Sequence, residues 1–258
     1  MAQPKGISCG ARPRLTLALP CYNERDNIAG VLAASMATLT RLGMSWEILV
    51  VDNCSSDGTP DIVRSVAHVE PRVRLIVHDR NRFYSGSCAT ILREARGELI
   101  AIMDSDGQFT AEDLPDMMSA LAGGASLVFG WRRVRHDPLS RKLMSWVFNR
   151  LARWHLGFRL HDLNVGIRML DRRLADVARI EHELNMANPE LYTRARAAGL
   201  AVAEVPVTHA QRTRGNTCHD FRKLGKLLLT VLGYFRSLRR DLYAAMTPAQ
   251  PGVYNKAA

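Results

Sequence analysis

Asp104-Ser105-Asp106-Gly107-Gln108 is the segment of this 258-residue chain whose residue types and spacing point most directly to chemistry. Two carboxylates one residue apart can direct oxygens at one hard divalent cation, and the Gln108 amide offers another; such an ion keeps several waters and bridges substrate phosphates. The same five residues also read as an Asx turn closing a strand. Two more polar turns follow apolar runs in the same way. Pro20-Cys21-Tyr22-Asn23-Glu24 follows Leu15 to Leu19, and Asp52-Asn53-Cys54-Ser55-Ser56-Asp57-Gly58-Thr59 follows a run that ends at Val51.

A repeated strand, loop and helix unit would bring these turns together. Leu15 to Leu19 reads as a strand, and Ile28, Val31, Leu32 and Leu39 recur at helical spacing within 27–42. Glu47 to Val51 is a second strand, and Pro60 is placed to open the next helix. Val73 to Val77 and the buried run Leu99 to Met103 continue the series, separated by a helix over 85–95. Helices are predicted over 111–122 and 138–154, and a strand over 127–130, with the sheet complete by Val207. This alternation predicts an α/β domain with a mainly parallel central sheet, flanked by helices on right-handed crossovers. Ligands of such a sheet bind beyond the carboxyl ends of its strands, so the three polar turns share one crevice.

With 47% apolar side chains the chain has a real core, and it does not read as disordered. Thirty-five Lys and Arg against twenty-five Asp and Glu give a net charge of +10, which favours phosphates, anionic lipid or nucleic acid as partners. Only five of the basic residues are lysines; arginine suits bidentate phosphate contacts, though its abundance also follows genomic composition. Five scattered cysteines without a CxxC pair suggest a reducing compartment. The apolar stretch after Arg12 and Arg14 is too short for a signal-peptide core, and no apolar run approaches the roughly 18 residues of a spanning helix. These features predict a cytoplasmic location with at most peripheral membrane contact.

Taken in order, Pro20-Cys21-Tyr22-Asn23-Glu24, the Asp52 to Thr59 turn and Met103-Asp104-x-Asp106-Gly-Gln108 resemble family 2 glycosyltransferases. The similarity continues through Gly130-x-Arg132, Arg141-x-x-x-Ser145-x-x-x-Asn149 and Asp162-x-Asn164-x-Gly166-x-Arg168. It extends to Asn188-Pro189-Glu190, Glu204-Val205-Pro206-Val207 and His209-x-x-Arg212-x-x-Gly215-x-Thr217. The branch it looks like contains the dolichyl- and polyprenyl-phosphate mannose and glucose synthases.

That resemblance implies a GT-A nucleotide-diphospho-sugar transferase fold over 14–217 and a Mg²⁺ or Mn²⁺ ion. It implies transfer of a hexose, with inversion, from GDP-mannose or a UDP-sugar to polyprenyl or dolichyl phosphate. Asp104, Asp106 and Gln108 would hold the metal, with Asp106 and Arg212 as catalytic residues. Pro20, Tyr22, Glu24, Asp52, Asn53, Asp57 and Asp104 would line the nucleotide-sugar side. Arg132, Arg141, Ser145 and Arg212 would bind acceptor phosphate, with Glu190 on the acceptor side. Asn53 stands where the family often has a second aspartate, and an amide offers a donor as well as an acceptor, which leaves guanine and uracil both open. A lipid phosphate is already ionised and needs positioning and charge compensation, whereas a sugar hydroxyl would need a general base.

Each assignment has a plainer alternative. Arg141 and Ser145 sit one helical turn apart and read equally as a solvated stripe. Asp57 contacts the nucleotide or shapes its turn; Asp162 and Arg168 bind or bridge their segment to the sheet; His209 reads as a packed or loop histidine. Residues 1–13 and 246–258 read as loose ends and 218–245 as a basic amphipathic C-terminal helix, which would lie on an anionic membrane, pack on the domain or make a dimer contact. The basic, aromatic segment 139–158 offers a second interfacial surface, and attachment could be shared with a membrane-anchoring subunit. Two rival functions remain: the same fold acting on a soluble or glycan hydroxyl with Glu190 as base, and a non-catalytic basic α/β module binding membrane or nucleic acid. No nucleic-acid-binding motif accompanies the charge.

Overall fold

The computed structural model describes residues 12–132, 139–157, 160–181, 186–210 and 231–240, with 139–144 described only as helix backbone. The first half alternates as the sequence predicts. β1 (Leu15–Cys21), α1 (Arg25–Arg41), β2 (Trp46–Asp52), α2 (Thr59–Val69), β3 (Val73–Val77), α3 (Phe83–Glu94) and β4 (Leu99–Met103) follow in order. A 3₁₀ turn over Ala111–Asp113 then leads into α4 (Leu114–Ala122), β5 (Leu127–Arg132), α5 (Leu139–Leu156), β6 (Ile167–Asp171), α6 (Arg172–Val177), α7 (Ala187–Ala197) and β7 (Val202–Val207).

The strands form one seven-stranded sheet in the order β3-β2-β1-β4-β6-β5-β7. Every residue of β1, β2 and β4 is buried, as expected of parallel strands covered on both faces by helices. β1 pairs in parallel with β2 on one side and β4 on the other, Cys21 opposite Asp52 and Ala18 opposite Ile102. The chain builds outward from β1 to β3 and then crosses back to place β4 on the far side of β1. A crevice opens at that reversal, at the carboxyl ends of β1, β2 and β4.

β6 was not anticipated. It lies antiparallel between β4 and β5, with Arg168 opposite Ile102 and Phe129. A charged residue at the second position of a five-residue strand breaks the apolar pattern by which buried strands are recognised. Running against β4, it brings its leading residue Gly166 to the end of β4, where the Asp104 amide donates to the Gly166 carbonyl at 2.8 Å. The helix expected over 111–122 is divided at Leu114-Pro115, since proline belongs in a helix's first turn.

Residues 231–240 are helical, and Val231, Tyr234, Phe235 and Leu238 are buried. The Phe235 ring lies 5.4 Å from that of Phe148 on α5, and the Tyr234 hydroxyl donates to the Met186 carbonyl at 3.2 Å. Of the readings of the C-terminal amphipathic helix, this portion follows the one in which its apolar face packs on the domain. α5 is thus covered on the side of Phe148, Ala152 and His155, while Trp146 and Trp154 on its other side are 63% and 75% exposed. Among the described residues no helix is long and apolar enough to cross a membrane.

Candidate active site

The crevice contains a cavity of about 460 Å³ walled by the ends of β1, β2 and β4 and by the start of α3. Pro20, Tyr22, Glu24, Asn53, Asp104 and Asp106, all named from the sequence, line it together with Asn81, Phe83, Tyr84 and Ser87. Its rim is unusual in backbone conformation. Asn23, Cys54 and Phe83 have φ of 54°, 67° and 56°, a left-handed region that non-glycine residues seldom occupy and an aromatic residue least of all. Such backbone is held by its surroundings. The Phe83 amide donates to Asn81 Oδ1 at 2.8 Å, and Asn23 is bound through its amide to Ser55 Oγ at 2.8 Å and through Oδ1 to the Ser56 amide at 2.9 Å.

Asp104 lies on the cavity wall, two residues beyond the part of β4 that pairs with β1. Its Oδ1 accepts from the Tyr84 hydroxyl at 2.9 Å, and Oδ2 occupies the space above Gly166, where a Cβ would come within 2.2 Å of it. Burial, followed by the nearby Asp106 charge, raises the Asp104 carboxyl from 3.8 to about 6, against the opposing pull of Arg168, Tyr84 and Arg132. Asp106 Oδ1 accepts from the Gln108 amide at 3.1 Å, the turn contact of the plainer reading. Between the carboxylates, Ser105 ties the turn to β1 by donating to the Pro20 carbonyl at 2.9 Å.

These residues fit a hard divalent cation. A carboxylate raised first by burial and then by a second carboxylate at its side is an arrangement that a nearby cation would relieve. The Gln108 amide nitrogen faces the Ala210 carbonyl at 3.2 Å and His209 Nε2 at 3.3 Å, so the amide oxygen is the atom Gln108 has to offer. An amide NH₂ only donates, which makes His209 Nε2 the acceptor in that contact. His209 is indeed packed, buried against Phe109 at 5.3 Å, but it is packed against the turn that carries the acidic pair.

On the nucleotide side, Asp52 is fully buried; Oδ1 accepts from the Ser55 amide at 2.9 Å, while Oδ2 has no partner among the described residues. Asn53 holds the loop after β3. Its Oδ1 accepts from the Arg82 amide at 2.8 Å and meets His78 Nδ1 at 3.0 Å, and its Nδ2 donates to Asn81 Oδ1 at 2.8 Å. Because the Arg82 amide can only donate, these contacts orient the Asn53 amide. Burial, then the Arg82 charge, lowers the His78 pKa, so the ring is neutral with its proton on Nδ1 toward Asn53. Asp57 accepts from the Arg25 amide at 3.0 Å and the Thr59 amide at 2.9 Å, which makes it a fastener between the starts of α1 and α2. Glu24 Oε2 accepts from Asn27 Nδ2 at 2.6 Å.

On the far side of β4, Arg132 at the end of β5 is held by Asp162 in a nearly buried ion pair, Nε donating at 2.7 Å and Nη2 at 2.6 Å from the same Oδ2. Asp162 is thereby placed as the partner of Arg132. The segment leading into β6 is clamped by asparagines. Asn149 Oδ1 accepts from the Leu163 amide at 3.2 Å, and Asn188 Nδ2 donates to the Leu163 and Val165 carbonyls at 2.8 and 3.0 Å. Glu190 is fully buried in α7, where Oε1 accepts from the Glu181 amide at 3.0 Å and Arg194 stands 3.8 Å away. Ser145 lies on α5 and is partly buried. Arg141 falls in the first turns of α5, its side chain outside the described residues, and Arg212 lies outside them altogether.

Sequence reasoning missed Asn81, Phe83, Tyr84 and Ser87. They occupy a helix start with no strand-end signal of its own, and only the pairing of β3 with β2 carries them to the crevice.

Residues 16–177 match the family described as Glycosyl transferase family 2. A curated relative, the undecaprenyl-phosphate 4-deoxy-4-formamido-L-arabinose transferase of Pectobacterium carotovorum, is 28% identical over 220 residues, covering 84% of this chain and 66% of its own. The enzyme of the same name from Klebsiella pneumoniae is 29% identical over 83% of this chain and 65% of its own. The chain therefore spans just under two thirds of the length of these relatives. Among solved structures, a mannosyltransferase from Pyrobaculum calidifontis, determined with GDP-mannose and Mn²⁺, shares the fold at a TM-score of 0.59 and 21% identity, over 94% of this chain and 77% of its own. Mannosyl-3-phosphoglycerate synthase from Rubrobacter xylanophilus does so at 0.64 and 18%, over 92% and 77%. The expected GT-A architecture is the one observed, and the chain belongs to glycosyl transferase family 2.

Proposed function

We propose that this chain is a metal-dependent, inverting glycosyltransferase that moves a hexose from a nucleoside-diphosphate sugar to polyprenyl phosphate at the cytoplasmic face of a membrane. The observation that carries the reading is the Asp104 and Asp106 pair, set in the wall of a cavity otherwise built from the ends of β1 and β2 and the start of α3. The relatives named as undecaprenyl-phosphate sugar transferases support the acceptor class.

Asp104, Asp106 and Gln108 would hold Mg²⁺ or Mn²⁺. Such an ion, when bound, neutralises charge developing on a diphosphate leaving group. Asp52, next to the cavity-lining Asn53, keeps one buried carboxylate oxygen without a partner among the described residues, and Tyr22 and Phe83 offer exposed aromatic surface on the cavity. An acceptor phosphate oxygen would form its bond to the anomeric carbon as the bond to the donor's β-phosphate oxygen breaks on the opposite face. The phosphate brings its own negative charge, so the protein's part is to position it and balance that charge, which suits Arg132 with its guanidinium fixed by Asp162. Arg141, Ser145 and Arg212 complete the proposed acceptor set. The hydroxyl-acceptor alternative is the weaker one, because Glu190 is fully buried and engaged with the Glu181 amide.

The exposed side of α5 supports peripheral membrane contact. Trp146, Arg150 and Trp154 follow at four-residue spacing with Arg153 beside them, all exposed, a basic aromatic stripe suited to an anionic headgroup layer.

The test is a transfer assay with Mn²⁺ or Mg²⁺, radiolabelled GDP- and UDP-sugars, and undecaprenyl or dolichyl phosphate. Metal-dependent label in the organic phase is expected. Donor hydrolysis without lipid labelling would move the acceptor to the soluble class, and no donor turnover or binding would leave a non-catalytic module.

A further inference from the structure

Arg168 is among the largest fully buried side chains of the molecule, yet no carboxylate contacts it directly among the described residues. Its Nη1 donates to the Tyr84 hydroxyl at 2.7 Å and its Nη2 to Cys88 Sγ at 2.8 Å, while Nε is buried without a partner. A guanidinium so placed is a poor way to stabilise a fold, because an apolar side chain of similar volume would avoid the desolvation. What it reaches is Asp104. The Tyr84 hydroxyl has one proton, and Arg168 can only donate, so that proton is directed at Asp104 Oδ1, 2.9 Å away.

The chain of contacts therefore has one polarity: guanidinium to phenol, phenol to carboxylate. It acts on one oxygen of Asp104, and Gly166, two residues before Arg168, bounds the other, where any side-chain carbon would collide with Oδ2. Both oxygens of one carboxylate are thus oriented by a single segment, directly at Gly166 and through Tyr84 at Arg168.

We propose that Arg168 and Tyr84 are positioning residues for the metal site: together they hold the Asp104 carboxylate in the orientation and charge environment that a divalent cation needs. The inference rests on the reading of Asp104 as a metal ligand. Partners that orient a ligand in this way are commonly worth about 10–100-fold in metal affinity.

The test is calorimetric titration of the whole protein with Mn²⁺ in the presence of UDP, beside a thermal melt of each metal-free variant. Asp104→Asn should abolish Mn²⁺ binding. Tyr84→Phe, which removes one oxygen, and Arg168→Met, which removes the charge at similar volume, should each weaken it by about 10–100-fold while still melting cooperatively. Tyr84→Phe added to Asp104→Asn should have no further effect on binding. If Asp104→Asn loses Mn²⁺ while Tyr84→Phe and Arg168→Met bind it as the parent does, the positioning role is wrong and the metal site stands. If Asp104→Asn binds Mn²⁺ normally, the metal reading itself fails and this inference with it. Should Arg168→Met not fold, Tyr84→Phe decides alone.

Discussion

Replacing Asp104 by asparagine separates what a buried carboxylate costs the protein from what it provides. In the metal-free fold the carboxyl titrates at about 6 instead of 3.8, because burial and Asp106 disfavour its charge. The folded state therefore holds this proton more tightly than the unfolded chain does. The associated stability is fully present below pH 3.8 and is lost as the pH rises through about 6. At about 1.4 kcal/mol per pH unit, the ionised carboxylate destabilises the metal-free protein by about 3 kcal/mol at pH 8. The amide of the Asp104→Asn variant would keep the Tyr84 contact through its oxygen without that charge. For a chain of this size, where about 1 kcal/mol moves the midpoint by about 2–4 °C, Asp104→Asn should melt about 6–12 °C higher than the parent at pH 8 with EDTA present. At pH 5, where the parent carboxyl is mostly protonated, the gap should fall to about half. Adding Mn²⁺ and UDP should reverse the order once ligand reaches about 1,000 times its Kd, where it stabilises the parent by about 4.1 kcal/mol and leaves the variant unmoved. Scanning calorimetry at the two pH values decides the matter. A variant that melts no higher than the parent at pH 8, or a gap that widens as the pH falls, would refute the reasoning.

Gly166→Ala would place a Cβ 2.2 Å from Asp104 Oδ2 and 2.5 Å from Phe109 Cε2; it should cost about 1–3 kcal/mol in urea unfolding and remove the Mn²⁺-induced rise in midpoint. Arg132→Ala strands the Asp162 carboxylate and should cost about 3–5 kcal/mol, whereas Arg132→Met combined with Asp162→Leu should cost much less, a comparison that the same urea curves provide. Trp146→Ala with Trp154→Ala should reduce sedimentation with phosphatidylglycerol vesicles several-fold and leave the thermal midpoint within a few degrees, because both rings face solvent. Equal sedimentation of the double variant and the parent would remove α5 as the membrane-facing element.

Much of the fold was legible because the signals are local. β1, β2 and β4 are short, mainly apolar runs, each ended by a polar turn, the pattern expected of parallel strands covered on both faces. The acidic turn after β4 was legible for the same reason, since its place follows from the strand before it. β6 was hidden by Arg168, whose charge makes sense only once Tyr84 and Cys88 stand against it. The roles of Asn53 and Asp57 could not be read either. Each residue type can bind a ligand or brace a loop, and the choice depends on which amides come within reach, here those of Arg82, Arg25 and Thr59.

By itself, then, the order of residues determined the alternation of strands and helices, the side of the sheet on which polar turns collect, and the pairing of Asp104 with Asp106. These are consequences of period and of neighbours a few positions apart. Only the tertiary structure decided which surface of the C-terminal helix is covered, that Glu190 is closed off while Asp104 lines a cavity, and that Arg168 faces Tyr84 from 84 residues away. Such contacts depend on how strands are ordered and which way each one runs, and an antiparallel strand inserted between parallel ones leaves no periodic trace in the sequence that announces its neighbours.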